Sequence, residues 1–506
     1  MPGTASPIGV DRRWWAAVLG VVVLAVAVRV AYVLVVLDGV EPGLDAIWYQ
    51  LQGGSIRSGT GFVAPASLFA DEQVSTAAFP PGYPAYQAVW QWLVGDGPTS
   101  VRLAGAVPGA LSVVLVAILG RRLAGPAAGL GAAAIVAVHP GLVAADGSAM
   151  SENLTVPLVL GAQVLALTLV DRHRHSHSHS HRRARQLAEH AARSAASVPH
   201  TVAGGEASDV APGGPGGHRG RPVGSGRSGA TAYVARSGVV TIGLGVVVGA
   251  AVLVRQDLVV FGALLVGWMV ATLRPPARTS LVIGALVALG GVAMVVPWMG
   301  RNLVAVDAFT VSTLSPASAV AGANCAATYR GDGLGSWDYD CVVAARPGAM
   351  SEVELAEAGV REVDLVDAYQ ASARRHVRAE LTRVPVVLAA RQARAWSWWD
   401  PRDLAERDAE ESRHEGFQVV ARPVEALFAL AGALGTIVLL RRQGRRALVL
   451  VVPVVAVAVS VSLGYGNPRF NVTAQPSLAI GLVAGALTWR AGSRARSEQG
   501  DATDPV

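Results

Sequence analysis

The chain has 506 residues, 52% of them hydrophobic, with a mean hydropathy of +0.41 and a formal net charge of +6. The apolar residues come in blocks of about 17 to 24, the length that crosses roughly 30 Å of hydrocarbon, which excludes a soluble globular protein. All 42 basic residues are Arg, and they sit largely at the ends of apolar blocks, where they orient helices; no nucleic-acid partner is expected.

The first apolar run, 14–37, follows Asp11-Arg12-Arg13, is too long for a signal-peptide core and reads as a retained span. Further spans are expected near 99–120, 124–143, 152–171, 236–254, 257–273, 279–299, 422–440, 446–464 and 473–490, which makes about ten in an all-α polytopic membrane protein. With the N-terminus inside, the inner segments are Arg12-Arg13, Arg121-Arg122, 172–235, Arg274 to Arg278, the RRQGRR run 441–446 and the tail, all Arg-rich as inner loops should be. The outer segments are then 38–98, 144–151, the 255–257 turn, 300–421 and 465–472. The expected organisation is an N-terminal transmembrane module 1–171, an insert 172–235, central helices 236–299, an outer region 300–421, C-terminal helices 422–490 and an inner tail 491–506.

The loop 38–84 holds Asp38, Glu41, Asp45, Asp71 and Glu72 against a single base, Arg57. Its LDAIWYQLQ segment puts Ile47, Trp48 and Leu51 on one side and Asp45, Tyr49 and Gln52 on the other, the pattern of a short helix lying at the membrane interface. PPGYP (80–84) is a rigid turn into a second such stretch, YPAYQAVWQWL. Asp45 is the candidate catalytic base, with Asp38 and Glu41 as tuning neighbours and Asp71 and Glu72 as a solvated or acceptor-facing pair.

The insert opens with DRHRHSHSHSHRR and turns Gly/Pro/Ser-rich, with too little apolar surface to fold alone; its His tract lacks a scaffold for a metal site. The outer region carries two or three amphipathic helices, with Val360, Val363, Leu365, Val366 and Tyr369 among their apolar positions. Cys325 and Cys341 precede them on the oxidising side, where a disulfide is expected, free thiols being the alternative; without His company they make a poor zinc site.

Polar groups converge at the outer ends of the spans: Arg102, Asp146, Glu152, Arg255, Asp257, Arg301, Asn302 and Arg469. Charges placed at the membrane are costly and default to function. Arg102, Arg255 and Arg469, on the outside against the positive-inside tendency, are candidate anion binders, orientation signals being the alternative. His139 reads as a satisfied structural group.

DAIWYQ followed by FPPGYP, then RLAGAVPGAL, HPGLVAADGSAMSENL, PWMGRN and GYGNPRF, in this order and on this side of the membrane, resembles the polyprenyl-phosphate-dependent glycosyltransferases of the GT-C superfamily. The branch is that of glycosyltransferase family 39, the bacterial relatives of protein O-mannosyltransferases and aminoarabinose transferases. The resemblance covers about 14–171 and 236–490. It implies a GT-C-like bundle in a bacterial plasma membrane, with the active site on the extracytoplasmic face. The implied reaction is inverting transfer of a hexosyl or pentosyl group from a polyprenyl-phosphate-linked sugar to a protein, glycolipid or cell-envelope glycan. The family's first-loop acid falls on Asp45, although Ala46 stands where many members carry Glu. The Arg thought to meet the donor phosphate falls on Arg102, and a later Tyr-Gly-x-x-Arg pattern falls on Tyr465, Gly466 and Arg469, with Asn471 in place of a second Arg. Tyr49, Tyr83 and Glu41 are expected to support substrate. No cofactor is expected to be required, although some members use a divalent ion. A transporter or flippase of envelope precursors and a non-catalytic assembly scaffold are the alternatives; the chain shows no repeated hydropathy halves of the kind transporters carry.

Overall fold

The computed structural model describes residues 11–65, 67, 73–173 and 228–501; these are helical, apart from loops and one isolated antiparallel bridge between Val63 and Ser75. Asp71, Glu72 and the His tract beyond His173 lie outside the described residues. The membrane helices are α1 Arg12–Ala31, α4 Pro98–Leu103 with α5 Ala106–Ala124, α6 Pro126–Val138 with α7 Pro140–Gly147, α8 Glu152–His173, α9 Ser228–Val254, α10 Leu258–Leu273, α11 Ala277–Ala305, α19 Glu415–Gln443, α20 Val451–Leu463 and α21 Gln475–Asp501. Between α1 and α4 lie α2 Leu44–Arg57 and α3 Gly82–Leu93. Between α11 and α19 lie α12 Pro316–Ala323, α13 Ala326–Tyr329, α14 Tyr339–Ala344, α15 Glu352–Glu357, α16 Glu362–Ala379, α17 Val384–Ala395 and α18 Pro401–Ala409. The chain is a multi-pass membrane protein.

The expected count of ten spans is not reached on length and apolarity: among the described residues six helices qualify, or seven if a bent pair counts as one. The reasons are local. Residues 415–463 qualify as one apolar stretch, but Gly444, at φ +59°, breaks it, and Ala429 of α19 and Val457 and Val461 of α20 enter one apolar cluster with Ala474 and Leu478. Helix α10 has 16 residues, short for a full crossing.

The expected span 124–143 is also two helices, α6 and α7, meeting at a 54° bend. Pro140 has no N–H for the Val136 carbonyl, and it pushes His139 out of the helical region to ψ 121°. Arg29 of α1 takes over the freed carbonyls. Its Nη1 donates to Ala137 O at 3.0 Å, its Nη2 lies 3.5 Å from Val136 O, and its Nε donates to Asp146 Oδ2 at 2.6 Å. Gly109 leaves the space for this pair, since a Cβ there would lie 2.2 Å from Arg29 Nε. Close helix contact recurs between α19 and α21, where a Cβ on Gly435 would lie 2.3 Å from Gly481 O. Small residues let two backbones touch where lipid offers no hydrophobic drive for association.

The bundle has two polar ends. At one, Asp171 Oδ2 accepts from Arg122 at 2.8 Å and from Arg446 at 3.0 Å, and Arg121 lies 4.3 Å above the Trp14 ring. At the other, α2 and α3 pack through Tyr49 and Tyr83, ring centroids 4.9 Å apart, below the α12–α18 region. The Cys325–Cys341 disulfide is present there, at a sequence separation of 16. Helix α16 buries Leu365, Tyr369 and Ala373, the apolar stripe expected of it, against α12.

Arg29→Met should leave the Asp146 charge buried and unpaired, at a cost of about 3–5 kcal/mol. Adding Asp146→Asn should restore most of the lost melting temperature in detergent. A double variant no more stable than Arg29→Met would mean that the pair does not account for the loss.

Candidate active site

Asp45 occupies the first turn of α2, behind the extended N-cap Gly43. Its side chain is 40% exposed and its Oδ2 lies 3.4 Å from Nη1 of Arg469. Arg469 is held in a 3-10 turn, Pro468–Thr473, whose N-cap Asn467 accepts from the Arg469 backbone N–H at 2.9 Å. The same Nη1 lies 3.3 Å from Glu411 Oε1, Nε lies 3.7 Å from Glu152 Oε1, and Nη2 donates to the Tyr465 hydroxyl. Three carboxylates from three distant parts of the chain thus meet on one guanidinium.

Arg255 extends the cluster. Its Nη1 donates to Glu152 Oε1 at 2.6 Å and its Nε to Asp257 Oδ1 at 3.1 Å, so one Glu152 oxygen, nearly inaccessible to solvent, faces both arginines. Phe470 lies beneath both guanidiniums, 4.8 Å from Arg255 and 5.4 Å from Arg469. Burial opposes charge on both, yet Glu411, Tyr465, Glu152 and Asp45 hold Arg469 well above its ordinary pKa, and Asp257 and Glu152 do the same for Arg255. Both stay cationic. Burial acts the other way on Glu411, whose pKa is pushed up to about 7 although Arg469 and Arg413 pull it down.

The loop that brings Glu411 in rests on a buried ionic network. Asp408 accepts from Arg413 at 3.1 Å and from Arg422 Nε at 2.8 Å, and Arg422 Nη1 donates to Glu425 Oε2 at 2.5 Å. This fixes the 408–413 turn against α2. Gly43 N–H donates to Ser412 Oγ at 2.7 Å, and a Cβ on Gly43 would lie 1.9 Å from Glu410 O, so only glycine fits. On the opposite side the disulfide loop supports Tyr465: Gly466 N–H donates to Gly335 O at 2.8 Å, and Arg391 and Arg394 donate to Ala323 O and Leu334 O, each at 2.7 Å.

Of the residues singled out from the sequence, the structure brings together Asp45, Glu152, Arg255, Asp257, Tyr465 and Arg469. Arg102 is engaged elsewhere, donating to Leu37 O at 3.2 Å and Val40 O at 2.8 Å, where it caps the end of the first span. Asp146 belongs to the Arg29 pair. Arg301 donates to Thr76 O and Phe62 O, at 2.7 and 2.6 Å, and to Asn302 Oδ1, closing the loop around the Val63–Ser75 bridge. Tyr49 is buried against Phe79 and Tyr83, and the Tyr83 hydroxyl accepts from Gln87 at 2.7 Å, while Glu41 is exposed. His139 is buried edge-on to Phe428.

Glu411, Asp408, Arg413 and Arg422 were not identified from sequence. In AERDAEESRHEG, residues 405–416, the first three look like an ordinary solvated helix end, and Arg422 follows six residues later. The available signal is position: Glu411 stands four residues ahead of α19, and Glu152 likewise opens α8. Among the described residues no group of three or more His, Cys, Asp or Glu is placed to hold a metal ion. The three carboxylates around Arg469 are bridged by the guanidinium, which occupies the place a cation would take.

The structure is similar to an archaeal oligosaccharyltransferase, AglB from Archaeoglobus fulgidus, solved in complex with an inhibitory peptide and a dolichol-phosphate: 11% identity, TM-score 0.47, covering 98% of this chain and 53% of that one. The apo form of the Archaeoglobus fulgidus enzyme gives 12% identity and TM-score 0.47 with the same coverage. The form tethered to an acceptor peptide containing the NVT sequon gives 12% and 0.48, covering 94% and 49%. This chain spans about half the length of these neighbours. No protein-family model matches the chain, and no curated protein matches it.

A raised carboxyl pKa in the folded state fixes the sign of a pH effect. The contribution of Glu411 to stability is complete below the ordinary value of 4.5, is lost as the pH rises towards about 7, and changes no further above that. The melting temperature of the wild type should therefore fall relative to that of Glu411→Gln between pH 5 and 7 and level off by pH 8. Parallel curves across that range would show that Glu411 ionises without penalty.

Proposed function

We propose that this chain is an inverting glycosyltransferase of a bacterial plasma membrane, transferring a hexosyl or pentosyl group from a polyprenyl-phosphate carrier to an acceptor hydroxyl on the extracytoplasmic face. The acceptor is a protein, glycolipid or envelope glycan. The observation that carries the reading is the pairing of a half-exposed carboxylate, Asp45, with a buried, permanently charged arginine, Arg469, 3.4 Å away at one end of a membrane bundle.

The chemistry needs these two groups side by side. The acceptor oxygen forms a bond to the anomeric carbon, the bond from that carbon to the phosphate oxygen breaks, and the acceptor proton passes to Asp45. The donor is a phosphodiester with one negative charge, while the departing polyprenyl phosphate carries up to two. Charge therefore grows on the phosphate as the reaction proceeds, where the forks of Arg469 and Arg255 stabilise it. Arrival of the phosphate takes Arg469 Nη1 from Asp45 and leaves that carboxylate free to act as base. In this reading Arg102 holds the loop end from which α2 starts, and the two guanidiniums hold the leaving group without a cofactor. The apolar tail of the donor accounts for placing the site at the end of a lipid-embedded bundle.

Asp45→Asn should lower kcat for transfer from a polyprenyl-phosphate sugar by about 10²- to 10⁴-fold while donor affinity stays within a few-fold. Arg469→Ala should instead abolish measurable donor binding. Undiminished transfer by Asp45→Asn in membranes would remove Asp45 as the base.

A further inference from the structure

One carboxylate of the cluster faces the same guanidinium nitrogen as the proposed base but has no part in the reaction as proposed. Glu411 Oε1 accepts from Asn467 Nδ2 at 2.8 Å and lies 3.3 Å from Arg469 Nη1, the nitrogen that also faces Asp45. Its second oxygen, Oε2, is buried and has no hydrogen-bond partner among the described residues. The groups around it are Arg469 and Tyr465 from the 465–469 segment, Asp45 from α2, Glu152 from α8, and Asp408 and Arg413 from its own loop. A largely buried carboxylate with one oxygen unpartnered is poorly solvated as an anion, and Asn467 and the neighbouring guanidiniums are what stabilise it in that state.

We propose that Glu411 couples donor binding to proton uptake: a phosphate seated on Arg469 displaces the carboxylate charge of Glu411, which takes a proton from water and stays neutral until the polyprenyl phosphate leaves. The proposal rests on the reading of Arg469 as a donor-phosphate ligand. Its physical basis is competition for one cation. A second anion on Arg469 removes the attraction that keeps Glu411 ionised and adds repulsion a few ångströms away, both of which favour the protonated acid. The protonation point, already close to neutral in the empty site, then rises above it, so at pH 7.5 each phosphate bound brings in more than half a proton on average. Neutral Glu411 also gains an O–H donor at the atom that lacked a partner. Glu411 is thus a charge-compensating residue acting through Arg469, not the base.

The test uses the full-length protein in lipid nanodiscs and a polyprenyl methyl phosphate, a diester that carries one charge across the whole pH range and adds no titration of its own. Wild-type affinity should be roughly tenfold weaker at pH 8.5 than at pH 6.0, the dependence expected when one proton is bound with the ligand. Glu411→Gln, which mimics the neutral acid, should bind at least as tightly as wild type at pH 6.0 and show no pH dependence. Net proton uptake by the wild type on binding at pH 7.5, measured in weakly buffered solution, should exceed about half a proton per lipid and does not depend on how the variant folds. Wild-type binding that is pH-independent and proton-free would overturn the coupling while leaving the donor reading intact. A Glu411→Gln variant weakened equally at every pH would show a purely structural ion pair and overturn it as well. No binding by wild type at any pH would overturn the donor reading itself, and the coupling with it.

Discussion

The guanidinium of Arg469 is the interaction on which the end of this molecule that carries the candidate site depends. It is largely removed from water, where an unpaired charge costs several kcal/mol, and its charge is balanced because Asp45, Glu152 and Glu411 reach it from α2, α8 and the α18–α19 loop, with the Tyr465 hydroxyl, on the α20–α21 connection, accepting from it. Each partner is hundreds of residues from at least one other in sequence. The charge therefore works as a tertiary restraint: any of these elements that moves outward strands a buried cation or a buried acid.

That restraint is effective because each element is held from behind. The Gly43–Ser412 contact locks α2 to the Glu411 loop at a separation no side chain permits, and the Asp408–Arg413–Arg422–Glu425 network anchors the same loop to the first turns of α19. Gly335, on the loop closed by the disulfide, meets Gly466 next to Tyr465. Elsewhere the bend at Pro140 would leave carbonyls without donors, and Arg29, in the last turn of α1, supplies them. Both solutions place arginine where backbone or carboxylate oxygens would otherwise be unpaired inside the bundle.

The membrane helices were legible because apolar blocks of spanning length leave few alternatives, and α2 and α3 were legible from the alternation of aromatic and polar positions around Asp45 and Tyr83. What lay beyond reach was pairing. In lipid, apolarity does not separate inside from outside: Val35 is 75% exposed while Ala25 on the same helix is fully covered. For the same reason, Arg102 and Arg469 look alike in sequence, each a lone base at the end of a span, yet one caps carbonyls and the other collects carboxylates. Glu411 was hidden by its setting in a charge-rich helix end, where burial, the property that matters, leaves no trace in composition. The kink at His139-Pro140 was readable from the proline alone, and the 124–143 run was taken as continuous because its apolarity is unbroken.

Charge balance constrains what such a site can bind. Around Phe470 stand two cations, Arg255 and Arg469, and four carboxyl groups, Asp45, Glu152, Asp257 and Glu411, so with every group ionised the pocket carries two net negative charges before any substrate arrives. A phosphodiester would bring it to three, in surroundings where water is largely excluded and repulsion is weakly screened. Glu152 faces both arginines, Asp257 is tied to Arg255, and in the proposed reaction Asp45, the most exposed of those bound to Arg469, has to remain an anion to accept a proton. The group left to give up its charge is the one that shares its Arg469 nitrogen with Asp45, carries a buried oxygen without a hydrogen-bond partner among the described residues and has a protonation point already near neutrality. An anion site lined with acids is consistent with electrostatics only if one of those acids is neutral when the anion is bound, and the geometry leaves that part to Glu411.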